Sequence, residues 1–130
     1  MRLSACALVL ALAGGPAAAQ DRGAKPVTPS EAARKVGEEC TVEMEIKSVG
    51  KARSGKVFFL NSRENFRDGE NFTIMLGMRA VTALKEKKVE DPAAHYRGRT
   101  VRVTGVVKLY EGRPEIIVNE LKQIEMVEKK

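Results

Sequence analysis

The sequence predicts a mainly β domain, a small barrel of five strands in the order β-β-β-α-β-β with a short helix ahead of it. Three observations carry this prediction. Several segments place apolar residues at every second position, the spacing of a half-buried strand. Polar stretches bearing glycine or proline separate those segments. Between the third and fourth of them lies the one interior segment with helical spacing, residues 79–88.

The first nineteen residues read as a leader. "MRLSACALVLALAGGPAAAQ" has a single charge, Arg2, then an uncharged Ala/Leu/Val-rich run, then Ala17-Ala18-Ala19. A basic start, an apolar centre and a small-residue cleavage site make a signal peptide. Cleavage after Ala19 is expected, giving a periplasmic or secreted protein with no membrane insertion of the mature chain. "LSAC" resembles a lipoprotein box, but it precedes the apolar centre instead of ending it, which argues against a lipid anchor. Residues 20–29, "QDRGAKPVTP", read as a disordered lead-in, and residues 30–128 as the domain, which starts with a helix at 30–36 capped by Ser30 and stopped at Gly37.

The strands follow. "CTVEMEIKSV" puts Cys40, Val42, Met44 and Ile46 on one face and Thr41, Glu43 and Glu45 on the other. "GKARSGK" (50–56) is a loop with two glycines and three basic residues. "VFFLN" (57–61) is a second strand, apolar on both faces, and "SRENFRDGE" (62–70) a polar loop. "NFTIMLG" (71–77) is a third strand with Phe72, Ile74 and Leu76 on one face. The helix over 79–88 has Ala80, Val81 and Leu84 as its apolar stripe, and Pro92 bars its continuation. "TVRVTGVVKLY" (100–110) is a long fourth strand with a bend at Gly105. "YEGRP" makes a tight turn with Gly112 at positive φ, and "PEIIV" is the fifth strand. "LKQIEMVEKK" either extends that strand or packs beside it. This order, with a helix between strands three and four, is that of the five-stranded OB barrel; an open α+β sheet is the alternative.

Composition narrows function. The chain has 130 residues, a net charge of +6, one histidine and two cysteines. Losing the leader removes Arg2 and Cys6, leaving about +5, a charge that permits an anionic partner without demanding one. Cys40 is then alone, so no intramolecular disulfide forms, and its strand parity makes it a core residue. With one histidine, His95, and no cysteine pair, no metal site, cofactor or catalytic set assembles, and the chain reads as a non-enzymatic binding module. An OB barrel binds across strands two and three between two loops; here those loops supply Lys51, Arg53 and Lys56, and Tyr110 and Arg113. Phe58 is the candidate stacking platform, although Phe58 and Phe59 must point to opposite faces and the sequence leaves open which is exposed. Few aromatics, no tryptophan and the acidic outer face of strand one weigh against nucleic acid.

The segments "VGEECTVEMEIKSV", "GKVFFLN", "NFTIMLG" and above all "YRGRTVRVTGVVKLYEGRPEIIV" resemble the nucleic-acid-binding-like OB-fold domains of small exported bacterial proteins. The resemblance spans Ser30 to Val127. It implies an OB fold and a weak, sequence-nonspecific partnership with single-stranded nucleic acid or another polyanion. The alternative is a module of the cell envelope that engages a protein or an oligosaccharide.

Overall fold

The computed structural model of the protein describes residues 25–127. The expected leader, Cys6 and the start of the lead-in lie outside the described residues. Along the chain run α1 (Pro29–Ala32), β1 (Glu39–Glu45), β2 (Ser48–Lys51), β3 (Phe58–Asn61), β4 (Thr73–Leu76), α2 (Met78–Glu86), α3 (Pro92–Tyr96), β5 (Thr100–Val106), β6 (Lys108–Tyr110), β7 (Arg113–Val118), a 3-10 turn (Leu121–Gln123) and β8 (Ile124–Met126).

The strands pair as two sheets rather than one closed five-stranded ring: β1-β5-β8, and β2-β3-β4-β7-β6. All the pairings are antiparallel except β4–β7. The expected first strand breaks at Ile46 and Lys47, so that its halves, β1 and β2, serve different sheets. The expected fourth strand breaks likewise at Val107, not at Gly105. Ile46 and Val107 are fully buried at these corners. Gly105 has a different reason: a Cβ there would lie 2.7 Å from Cγ2 of Ile116, so the missing side chain lets β5 pack close against β7.

Two departures lie at the N-terminal end. Helix α1 starts at Pro29 because Thr28, not Ser30, is its cap. Thr28 Oγ1 accepts from the Glu31 amide at 3.1 Å, and the Glu31 carboxylate accepts from the Thr28 amide at 2.9 Å, a capping box ahead of a proline at the first helical position. The lead-in is tied down from Val27, whose amide donates to the Thr41 carbonyl at 2.8 Å and whose carbonyl accepts from the Glu43 amide at 3.0 Å. Further along, Pro92 does not only end helical structure; it opens α3, capped by Asp91. His95 is half-buried there, edge-on to the buried ring of Tyr96.

One apolar cluster joins both sheets. Cys40, Val42, Met44, Val101 and Val103 meet Phe58, Leu60, Ile74, Leu76, Ile116 and Val118, and Ala80, Val81 and Leu84 of α2 cover the remaining side. The period-two parity of β1 thus holds, and burial pushes the Cys40 thiol pKa up. The C-terminal segment adds β8 to the edge of β5. Gln123 fastens it, donating from Nε2 to the carbonyls of Thr104 and Ile117, each at 3.1 Å.

Candidate functional site

The outward face of the five-stranded sheet is built in rows. Cross-strand pairing aligns Ser48, Asn61, Thr73, Glu115 and Lys108 in one line across all five strands. The next row is Gly50, Phe59, Met75 and Ile117. Over these rows lies a groove of about 530 Å³, walled by Lys51 and Phe59 on one side, Phe66 and Arg67 above, and Tyr110 and Arg113 on the other.

Of the residues expected from sequence, the groove gathers Lys51, Tyr110 and Arg113. Arg53 and Lys56 stay exposed on the connection 52–57 and do not wall it. Phe58 is corrected outright. It is only 7% exposed and packs inward with Leu60, so the half-buried neighbour Phe59 faces the groove. The parity of β3 decides this, since a stretch apolar on both faces does not reveal which face is covered.

The turn between β6 and β7 is a two-residue hairpin. Glu111 and Gly112 both take positive φ, 52° and 80°, the geometry of a turn whose twist matches its strands. It leaves Tyr110 exposed beside Arg113, its cross-strand partner. The Arg113 side chain leaves the hairpin: Nη1 donates to the Phe66 carbonyl at 3.0 Å, and its guanidinium stands 5.8 Å from the Phe66 ring. The Arg67 guanidinium lies 5.0 Å from the same ring, and such contacts are attractive through the ring quadrupole.

Phe66 and Arg67 are the functional candidates that the sequence reading missed. Their loop, 62–70, is polar but firmly built. The buried Asn71 accepts from the Arg63 amide at 3.1 Å, and its amide nitrogen reaches the Phe66 carbonyl at 3.3 Å and Thr73 Oγ1 at 3.1 Å. Asn65 accepts from the Arg67 amide, and Arg63 pairs with Glu70. The only signal in the sequence is an aromatic beside an arginine within an otherwise polar loop.

The polar row is hydrogen-bonded along part of its length. Asn61 donates to Ser48 Oγ, and Thr73 Oγ1 donates to Asn61 Oδ1 at 3.0 Å. At Glu115 the chain of bonds stops. Glu115 as a whole residue is 7% exposed at the groove floor, and among the described residues its carboxyl has no hydrogen bond or ion pair. Burial pushes its pKa up, and Lys108 opposes that only partly and through space. The acidic face of β1 lies elsewhere: Glu43 pairs with Arg102 at 2.8 Å in the three-stranded sheet, and neither Glu43 nor Glu45 walls the groove. Among the described residues no cluster of potential metal ligands occurs, and no helix is long and apolar enough to cross a membrane.

No protein-family model matches the chain, and no curated protein matches it. Solved structures do. An OBody bound to hen egg-white lysozyme aligns with a TM-score of 0.55 at 21% identity, over 82% of this chain and 96% of its own. Asparaginyl-tRNA synthetase from Pyrococcus horikoshii aligns with a TM-score of 0.52 at 22% identity, over 79% of this chain. Asparaginyl-tRNA synthetase from Entamoeba histolytica aligns at 0.51 and 17%, over 81%. The chain spans only 23% and 24% of these two synthetases. At such identities the likeness is one of fold: a mainly β, OB-like domain.

Proposed function

We propose that this protein is an exported, non-catalytic OB-fold binding module that holds single-stranded nucleic acid or another polyanion, weakly and without reading a long sequence. In this reading the two sheets are one OB barrel whose first and fourth strands are bent, with Ile46–Lys47 and Val107 as its corners. The observation that carries the function is the groove, where Lys51, Arg67 and Arg113 stand beside Phe59, Phe66 and Tyr110. Cations along a backbone track with aromatic faces for stacking are what sequence-tolerant single-strand binding requires. Two fold neighbours being tRNA synthetases is in keeping with this reading.

A titration of fluorescein-labelled uridine oligomers, followed by anisotropy at several salt concentrations, tests it. About three phosphates neutralised on a single strand give a log–log salt slope near −2. Displacement by heparin distinguishes general polyanion binding from binding that needs bases. Salt-insensitive binding, or none, rejects the proposal.

A protein ligand on the same face is the second reading. Leu109 and Tyr110 are well exposed at the hairpin, and the OBody neighbour carries a protein ligand.

A further inference from the structure

Glu115 has no place in a groove that only attracts anions. It is buried at the floor of a groove that Lys51, Arg67 and Arg113 also line, with Lys108 as its partner on β6, yet none of them bonds its carboxyl. Its cross-strand neighbour Thr73 turns its hydroxyl away, towards Asn61. A buried polar group without a partner is costly and rare enough to need an explanation. A ligand that supplies the missing donors gives one.

The surroundings restrict that ligand. A cationic donor is repelled by Lys51, Arg67 and Arg113 of the walls. A carboxylate or phosphate at the floor is repelled by Glu115 itself. What fits is a neutral group with paired N–H donors, attached to an anionic group that remains among the cations above. A nucleotide has this division of charge. Among the common bases, guanine alone presents two adjacent N–H donors on its pairing edge, N1–H and N2–H, which a carboxylate accepts in parallel. Adenine and cytosine set a donor beside an acceptor, and uracil a donor between two acceptors.

We infer that Glu115 is a base-reading residue that gives one position of the groove a preference for guanine, accepting N1–H and N2–H at its carboxylate oxygens while the wall cations hold the adjoining phosphates. This rests on the nucleic-acid reading above, and it turns a sequence-tolerant groove into one with a single preferred position.

The test uses uridine pentamers whose central residue is guanosine, inosine, adenosine or uridine, bound to the full protein and followed by anisotropy. Inosine lacks only the N2 amino group. The expected result is guanosine tighter than each of the others by about tenfold. In Glu115→Gln, whose side-chain amide opposes a donor to N2–H, that advantage collapses while the salt slope is unchanged. The guanosine–inosine comparison in the unaltered protein does not depend on the variant folding. Equal binding of all four pentamers overturns the inference and leaves the polyanion reading standing. A guanosine preference that survives in folded Glu115→Gln removes Glu115 as the reader. Failure of every pentamer to bind overturns both.

Discussion

The Arg113 guanidinium donates to the carbonyl oxygen of Phe66 at 3.0 Å across 47 positions of sequence. One hydrogen bond thereby joins the β6–β7 hairpin to the β3–β4 loop and makes two separate surface features into the walls of one groove. Arg113 is thus neither a spare cation nor only a turn residue.

The groove predicts an asymmetry among the basic residues. Arg67→Ala or Arg113→Ala weakens binding of a uridine oligomer and flattens its salt slope by about 0.7 for each phosphate no longer neutralised. Arg53→Ala with Lys56→Ala changes both much less, since these side chains stand outside the walls. Anisotropy titrations across a salt series measure all three.

Asn71 holds the loop that presents Phe66. Asn71→Ala leaves the Arg63 amide and the Phe66 carbonyl without this partner, and is expected to destabilise the fold by about 1–3 kcal/mol. Urea unfolding measures the loss. Weaker oligomer binding in variant protein that is still folded reports the loosened loop.

Glu115 gives stability a specific pH dependence. Its pKa is raised in the fold by burial, so the native state holds this proton more tightly than the unfolded chain. The charged group facing it from β6 is Lys108, and Thr73 on β4 is neutral. The stabilisation is therefore full below the ordinary glutamate value of 4.5 and is lost as pH rises through the higher folded value. Glu115→Gln, which keeps the shape without the charge, should be more stable than the unaltered protein at neutral pH, with the difference shrinking towards acid. Thermal melts of both proteins across pH check the sign.

Gly105→Ala forces a methyl group to within 2.7 Å of the fully buried Ile116. Overpacking of this kind costs about 1–3 kcal/mol, and a lowered urea midpoint with an unchanged m-value is the expected result. Gly50→Ala serves as the control, since a Cβ there meets nothing within 4 Å.

Much of the fold was legible because alternation is a local signal. Cys40 to Ile46, Phe72 to Leu76 and Val101 to Val103 declare their buried faces residue by residue. The breaks at Lys47 and Val107 did not show, because a strand that changes sheets keeps its local pattern while only its partners change. Phe58 and Phe59 were ambiguous for a related reason: with both faces of β3 apolar, parity relative to the core comes from Leu76 and Met75 on the neighbouring strand. The groove was half legible. The loops that flank it could be found from the order of elements. Phe66 and Arg67 enter it only through their tertiary links to Asn71 and Arg113. Glu115 carries no signal of its own in "PEIIV", since nothing local shows that its neighbours cover it.

The parallel pairing of β4 with β7 has a kinetic side. β4 obtains its second neighbour only when residues beyond 113 arrive, and the ladder partner of β1 is β5, which starts at residue 100. Loop closure must precede most of the stabilising interactions, so the folding barrier is largely one of chain entropy. Folding in about milliseconds to seconds is the expectation for such a topology. A growing chain that ends before β7 has no way to complete either sheet, and it stays open until nearly all of the domain is present.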